Sequence, residues 1–302
     1  MHAAYKGIKS EGGLYNISFC AGCGLGRTEP FLSDAELQKI YSSSYREEDS
    51  KRFIPPLEKA IALLRVQRCR RVERLAEKGR ILDIGCGRAD FLQLMKERGW
   101  DASGLELDRR IEGRGKKLGM DLRCGSLDTV RFPESSFDAV TFWHVFEHIR
   151  RPEAALEECG RILKPGGLLV IAVPNTGSLQ ARISGRHWFH LDPPFHLYHY
   201  SAGNLKRLLD RSGFEAASVK HYSLEYNPYG FLQSIFNMPG FRRNLFYDFL
   251  RSKKGEGLKS KIGIALMLLS MPVALPLSMA LSLAEAAMGL GGTIEVYARK
   301  MA

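Results

Sequence analysis

Apolar and polar positions along the chain fall into three patterns. Between residues 80 and 225, short apolar runs alternate with segments whose apolar residues recur at helical spacing. Such alternation predicts a parallel sheet with helices on both faces. Ile81, Leu82 and Ile84 form the first strand, 80–84, and Phe91, Leu92, Leu94 and Met95 place a helix over about 88–98. Further strands are expected at 101–105, 120–123, 139–143, 168–173, 215–221 and 293–299, with helices at 108–118, 152–163 and 201–212. Lys164-Pro165-Gly166-Gly167 is a turn before the fifth strand.

Residues 1–79 follow a second pattern. They begin polar and Gly-rich. Ser33, Asp34 and Glu36 give a capping-box start, followed by Leu37, Ile40 and Tyr41 at helical spacing. Residues 42–50 are polar. Pro55-Pro56 opens a helix over about 57–78, with Ile61, Leu64, Val66 and Leu75 inward and an Arg/Glu-rich face in solvent.

The third pattern is apolar throughout. Ile262 to Ala284 is a run of 23 residues without a charge. By length it could cross a bilayer. A single crossing would leave the last strand on the wrong side, and Pro272 and Pro276 fall near the middle of the run, so a helical hairpin is expected. Phe231, Leu232, Ile235, Phe236, Leu245, Phe246, Phe249 and Leu250 precede it among basic residues. Apolar faces with basic flanks are what an interfacial anchor needs, so 226–291 is read as a membrane-docking insertion. A soluble helical cap, a dimer contact and a true span are the alternatives.

Composition changes this picture little. The chain has 302 residues, 45% hydrophobic and 25% charged, ordinary values for a globular protein. The start shows no signal-peptide pattern. Cys69, Cys86, Cys124 and Cys159 read as reduced thiols, and a cytoplasmic protein, peripheral on the inner face of the membrane, is the expectation. The formal charge of +11 suits an acidic partner, and seven Lys/Arg between Arg242 and Lys261 stand against Asp248 and Glu256.

Chemistry concentrates in 80–92. Gly85 and Gly87 follow a strand and open a helix, so a backbone and a helix N-terminus can approach a ligand. Asp90 stands where a dinucleotide fingerprint has its third glycine, which disfavours a pyrophosphate. Glu106 lies 19 residues after Gly87 at the end of the second strand, where an acid can accept both hydroxyls of a ribose.

These residues carry a resemblance. Leu82-Asp-Ile-Gly-Cys-Gly87, Gly104-Leu-Glu106, Phe137-Asp138, Glu147-His148, Leu163-Lys-Pro-Gly-Gly167 and Pro174-Asn175 resemble the class I S-adenosylmethionine-dependent methyltransferases. The closest likeness is to the branch of ubiquinone-pathway-like O-methyltransferases and sugar methyltransferases with an N-terminal zinc knuckle. The resemblance implies a Rossmann-like, seven-stranded, mostly parallel sheet whose last strand is antiparallel. The domains expected are 1–45, a linking helix 46–79, a methyltransferase domain 80–225 with 292–302, and the insertion 226–291. S-adenosylmethionine is the implied cofactor. Asp83, Gly85 and Gly87 would line its methionine end, Glu106 would hold its ribose, Ser126 and Leu127 would flank its adenine, and Cys86, Leu107 and His144 are further cofactor-binding candidates. Ser126 stands where the family usually has Asp, which weakens the adenine contact.

Methyl transfer to a hydroxyl needs alignment, exclusion of water and removal of a proton. His144, just past the fourth strand, is a candidate for cofactor contact, for the base or for packing. Residues 176–200 lie where the family builds a substrate lid and hold four of the eight histidines. His196 and His199 are base candidates there, with a metal site of Asp192, His196 and His199 as a lesser option. Cys20 and Cys23 form a Cys-x-x-Cys-Gly knuckle, half of a four-ligand zinc site, with His2 the other nearby donor. Zinc is thus open. The expected acceptor is a small or lipid-linked molecule, with an anionic membrane surface as partner. Trp143-His-Val-Phe replaces the Asn/Asp-Pro-Pro-Tyr type of base-flipping motif, so no nucleic acid is expected. A nucleic-acid methyltransferase and a non-catalytic scaffold at a membrane are the competing readings.

Overall fold

The computed structural model describes residues 2–10, 13–33, 35–37, 39–40, 55–251 and 257–301. The side chains of residues 2, 3 and 55–60 are outside that description. Asp34, the polar stretch 42–50, and Lys253, Lys254 and Glu256 of the basic cluster also lie outside the described residues. The capping box is formed by its two other members: the Ser33 N–H and hydroxyl both reach Glu36 Oε2, at 2.7 and 2.6 Å.

The strands are β1 (His2–Ser10), β2 (Gly13–Phe19), β3 (Gly26–Glu29), β4 (Arg80–Ile84), β5 (Asp101–Glu106), β6 (Asp121–Cys124), β7 (Phe137–Trp143), β8 (Leu163–Pro174), β9 (Tyr198–His199), β10 (Phe214–Lys220) and β11 (Thr293–Lys300). The helices are α1 (Pro55–Glu73), α2 (Asp90–Glu97), α3 (Arg110–Leu118), α4 (Pro152–Ile162), α5 (Leu179–Ser184), α6 (Ala202–Arg211), α7 (Asn227–Asn237), α8 (Leu245–Leu250) and α9 (Leu258–Ala287). They form two compact units.

One unit comprises residues 62–173, 202–220 and 295–302. Its seven-stranded sheet runs β10-β11-β8-β7-β4-β5-β6. β4, β5, β6, β7 and β8 pair in parallel, and β11 runs antiparallel to β10. Ile81, Leu82, Val140, Phe142, Val170 and Ile171 are fully buried, as a parallel sheet covered on both faces requires. The expected turn at 164–167 is instead an excursion inside β8. Phe137 pairs with Leu163 and Ala139 with Leu168, so the intervening residues bulge out while the strand continues.

The other unit comprises residues 1–61, 174–201 and 221–294. β1, β2, β3 and β9 make a second, antiparallel sheet. Ile8 and Ile17 pack with Ala181, Trp188 and Leu191. The unit boundaries therefore differ from those expected: the N-terminal knuckle element, the 176–200 segment and the apolar insertion fall in one unit. The pairing of Gly26 with His199 and of Arg27 with Tyr198 is what recruits the N-terminal strands.

The expected hairpin within the apolar run is overturned. α9 is a single helix with Pro272 and Pro276 inside it. A proline removes one helical hydrogen bond and crowds the carbonyl four residues back. Here Leu268, Pro272 and Pro276 are all exposed, and a spacing of four puts both rings on one side, so the disturbance meets no neighbour. The chain goes out through α7 and α8 and comes back along α9. Leu232, Phe236, Leu245, Phe246 and Met267 join these helices, with Ile264, Met271 and Ala274 against them.

Candidate functional site: the turn after the first sheet strand

β4 delivers the chain to the carboxyl edge of the sheet, where open parallel sheets take their ligands. Gly85 has φ +69° and Gly87 φ +53°. The Gly85 and Cys86 N–H groups both donate to the Leu105 carbonyl, at 2.8 and 3.0 Å, which pins the turn to the end of β5. A Cβ at Gly85 would lie 2.5 Å from Val145 Cγ2, so any larger residue would displace the 144–145 turn. At Gly87 a Cβ would meet nothing within 4 Å. That open space is where a ligand can approach the backbone.

Asp83 is buried in β4, one residue before the strand ends. Thr141, its partner in the β4–β7 register, donates its hydroxyl to Asp83 Oδ1 at 2.6 Å. Burial raises the carboxyl pKa to about 7, against the pull of the Thr141 hydrogen bond and of the Arg68 charge. Arg68 itself lies over the Trp143 ring, 5.0 Å from its centroid. The Cys86 thiol is pushed well up, first by burial and then by the charges of Asp83 and Glu106. It packs against β5, close enough that a Cβ at Gly104 would sit 2.7 Å from its sulfur. A thiol in that state is a wall of the site and not a nucleophile.

Glu106 is oriented by two backbone donors. The Gly87 N–H reaches Oε2 at 2.8 Å and the Leu107 N–H reaches Oε1 at 2.7 Å. A carboxylate offers about four acceptor positions, so each oxygen keeps capacity for another donor. Leu107 beside it is 72% exposed, an apolar side chain at the mouth of the site. Leu127 is buried. Ser126 is drawn into its own loop: its N–H donates to Thr129 Oγ1 at 3.0 Å, and the two hydroxyls lie 3.4 Å apart.

His144 adopts a left-handed conformation, φ +57°, with its N–H on the Ala172 carbonyl at 2.9 Å. Its Nδ1 lies 3.6 Å from Oε1 of the buried Glu147. The contact of Val145 with Gly85 places this turn beside the glycine loop. Asp83, Gly85, Cys86, Gly87, Glu106, Leu107, Ser126, Leu127 and His144 thus all belong to one unit.

His196 and His199 belong to the other. His199 is buried with Nε2 2.9 Å from Thr28 Oγ1, while the Thr28 hydroxyl donates to the His196 carbonyl at 2.5 Å. With that proton committed, His199 Nε2 is the donor to Thr28. Burial, and secondly the His196 charge, lower its pKa to about 3. This gives His199 a packing role between β3 and β9, in place of the base role that its sequence context suggested. His196 Nδ1 lies 2.9 Å from the His190 carbonyl, which fixes Nδ1 as the protonated nitrogen in the neutral ring. Asp192, the third member of the suggested metal set, has a left-handed backbone and its carbonyl accepts the His196 N–H at 3.1 Å.

Cys20 and Cys23 sit at the tip of the β2–β3 hairpin. The N–H groups of Cys23 and Gly22 point at the Cys20 sulfur and lower its pKa. A structural zinc needs four donors and the hairpin supplies two. The His2 side chain lies outside the described residues.

Thr141, Val145, Arg68 and Thr28 complete these environments and were not singled out from sequence. Thr141 had a signal: a lone hydroxyl in an apolar strand, aligned with Asp83 once β4 and β7 are set side by side. The others had none short of the fold.

A family model described as a methyltransferase domain matches residues 58–219. A Mycolicibacterium smegmatis protein named "Probable S-adenosylmethionine-dependent methyltransferase" is 31% identical over 148 residues, 47% of this chain and 56% of its own length. A ubiquinone biosynthesis O-methyltransferase of Bordetella avium is 24% identical over 222 residues, 69% of this chain and 90% of its own. The chain thus spans little more than half of the first relative. A solved methyltransferase-type structure from Galdieria sulphuraria has a TM-score of 0.52 at 15% identity, covering 88% of this chain and 98% of that one, a likeness of fold.

Proposed function

We infer the activity from one premise: the chain belongs to the family of S-adenosylmethionine-dependent methyltransferase domains. We propose that it moves a methyl group from S-adenosylmethionine to a hydroxyl of a small or lipid-linked acceptor, sugar-like or quinone-like. The observation that carries the reading is Glu106, fixed by the Gly87 and Leu107 N–H groups with acceptor positions left on both oxygens.

The residues present fit the cofactor. The remaining acceptor positions of Glu106 would take the two ribose hydroxyls. Gly87, with open space where a Cβ would be, would let the backbone close on the ligand. Leu107 would offer an apolar surface to the cofactor. Asp83 gains its negative charge near pH 7 and then favours the ammonium end of the methionine moiety. The cofactor, when bound, supplies a methyl group on a positively charged sulfur, already activated for displacement.

What the chain must add is alignment and a place for the acceptor proton. We assign the proton to His144. It shares a unit with the glycine loop, and Glu147 stands 3.6 Å from its Nδ1, oriented to stabilise an imidazolium once the proton arrives on Nε2. The choice of an oxygen acceptor draws on the Bordetella avium relative, whose name specifies O-methylation in ubiquinone biosynthesis.

Titration calorimetry with S-adenosylmethionine tests the first step. Binding by the intact chain that Glu106→Ala weakens supports the reading, and binding indifferent to that change would overturn it. Labelled methyl transfer into soluble and lipid extracts then identifies the acceptor. His144→Ala is expected to lower turnover while cofactor binding persists.

A further inference from the structure

α9 is built inside out. Its inner stripe runs Gly263, Met267, Met271, Ala274, Ser278, Ser282 and Glu285, and the last three are fully buried. The outward positions are Leu266, Leu269, Val273 and Leu277, with Leu269 78% and Val273 73% exposed. In the most apolar window of the helix, mean hydropathy 2.1, only 11% of the residues are buried. A helix that faces water places its polar residues outside. Small and polar residues inside with Leu outside is the arrangement of a helix that faces lipid.

The inner end is well satisfied. Glu285 accepts Gln180 Nε2 at 2.7 Å, the Gln180 N–H at 3.2 Å and the Gly292 N–H at 2.9 Å. Burial raises its pKa against these bonds. A polar hub of this kind holds the helix against its own unit and leaves the apolar arc turned outward.

We propose that α9 docks by this outer arc in the interfacial layer of an anionic lipid bilayer. Three observations select lipid over a second copy and over a span. At about 100° per residue, the exposed apolar positions wrap roughly 200° of the circumference, more than the seam of a helix pair covers. Pro272 and Pro276 deny the Leu268 and Pro272 carbonyls the N–H that residue i+4 ordinarily supplies. Headgroups and water at interfacial depth can satisfy those carbonyls, and the hydrocarbon core cannot. Finally, Lys259 and Lys261 are exposed at the start of the helix, and no charge follows until the buried Glu285. That places positive charge at one end of the apolar arc, where anionic headgroups attract it. Arg243 of the same cluster is not part of this surface: its guanidinium, half-buried, donates to the carbonyls of Arg186 and Trp188.

Docking of this kind is independent of methyl transfer. Flotation of the intact chain with phosphatidylcholine vesicles, with and without phosphatidylglycerol, tests it. The chain is expected to float with the anionic vesicles. The pair Leu269→Asp and Val273→Asp should cut the bound fraction by about tenfold or more, with unchanged circular dichroism. Lys259→Glu with Lys261→Glu should weaken binding and remove most of its salt sensitivity. A wild-type chain that stays with the unbound fraction overturns the proposal. So does a Leu269/Val273 variant that floats as well as wild type, or a wild-type chain that dimerises through this arc without binding vesicles.

Discussion

The strand β4 and the helix α9 are both apolar in sequence, and they satisfy that character in opposite ways. In β4, Ile81 and Leu82 are fully buried between helices of their own unit, and the polar Asp83 and the glycines come where the strand leaves the core. In α9 the apolar Leu269 and Val273 are among the most exposed residues, and the buried ones include Ser278, Ser282 and Glu285. The difference teaches that an apolar run states a need for cover without saying who supplies it. For β4 the cover is the rest of the chain. For α9 the described residues supply no such cover, and a bilayer is the partner whose chemistry matches.

The sharpest way to break this comparison is to remove one leucine from each. Leu82→Ala should cost roughly 2–5 kcal/mol in denaturant unfolding, the range for emptying a packed core position. The next largest effect belongs to the ligand site. Glu106→Ala should weaken S-adenosylmethionine by about 1.5–3 kcal/mol, since charge-assisted hydrogen bonds are lost, with little change in unfolding. Glu285→Ala leaves the Gln180 and Gly292 donors buried without their acceptor. About 1–3 kcal/mol of stability should go with it, and vesicle binding should become less specific for the outer arc. Leu269→Ala, at an exposed position, should stay within about 0.5 kcal/mol in the absence of lipid.

The two units should also differ in the sign of their response to pH. Asp83 holds its proton to about pH 7 when folded, whereas an unfolded Asp releases it near pH 4. Between those values the folded chain binds the extra proton, so stability falls as pH rises and levels off above 7. His199 behaves in reverse. Its folded pKa is about 3 against roughly 6.5 unfolded, so the unfolded chain binds the extra proton and stability falls as pH drops below 6.5. Unfolding measured from pH 4 to 8 should show the first slope disappear in Asp83→Asn and the second persist.

Much of the sheet unit was legible because its signals are local. Periodicity placed β4, β5, β7 and the helices between them to within a residue or two, and Glu106 followed from its distance to Gly87. The 164–167 excursion was misread because Pro-Gly-Gly is turn chemistry wherever it occurs, and only the pairing of Ala139 with Leu168 shows the strand continuing. The second unit was less legible. β9 is two residues long and carries no periodic signal, yet it is what recruits the N-terminal strands. His199 looked reactive among aromatics and prolines, and its burial against Thr28 depends on a contact some 170 residues away in the chain. In α9 the prolines promised a break that local propensity favours and an open outer face permits the helix to avoid. Its inside-out arrangement was hard to read, because a few serines in an uncharged run give little polar contrast; Glu285, the single acid at its end, and Ser278 and Ser282 before it mark the side that turns in.

The pairing of β10 with β11 has a consequence for how this chain can evolve. Lys220 stands opposite Glu295, so the two feet of residues 221–294 are neighbours in one antiparallel ladder. Whatever lies between them is a closed loop to the sheet, and closure entropy grows only slowly with loop length. The segment can therefore change in length at little closure cost to the ladder, provided that it keeps the contact of Glu285 with Gln180 that holds it to the rest of its own unit. Selection for a new surface to work on and selection for the reaction itself can then proceed on separate stretches of one gene.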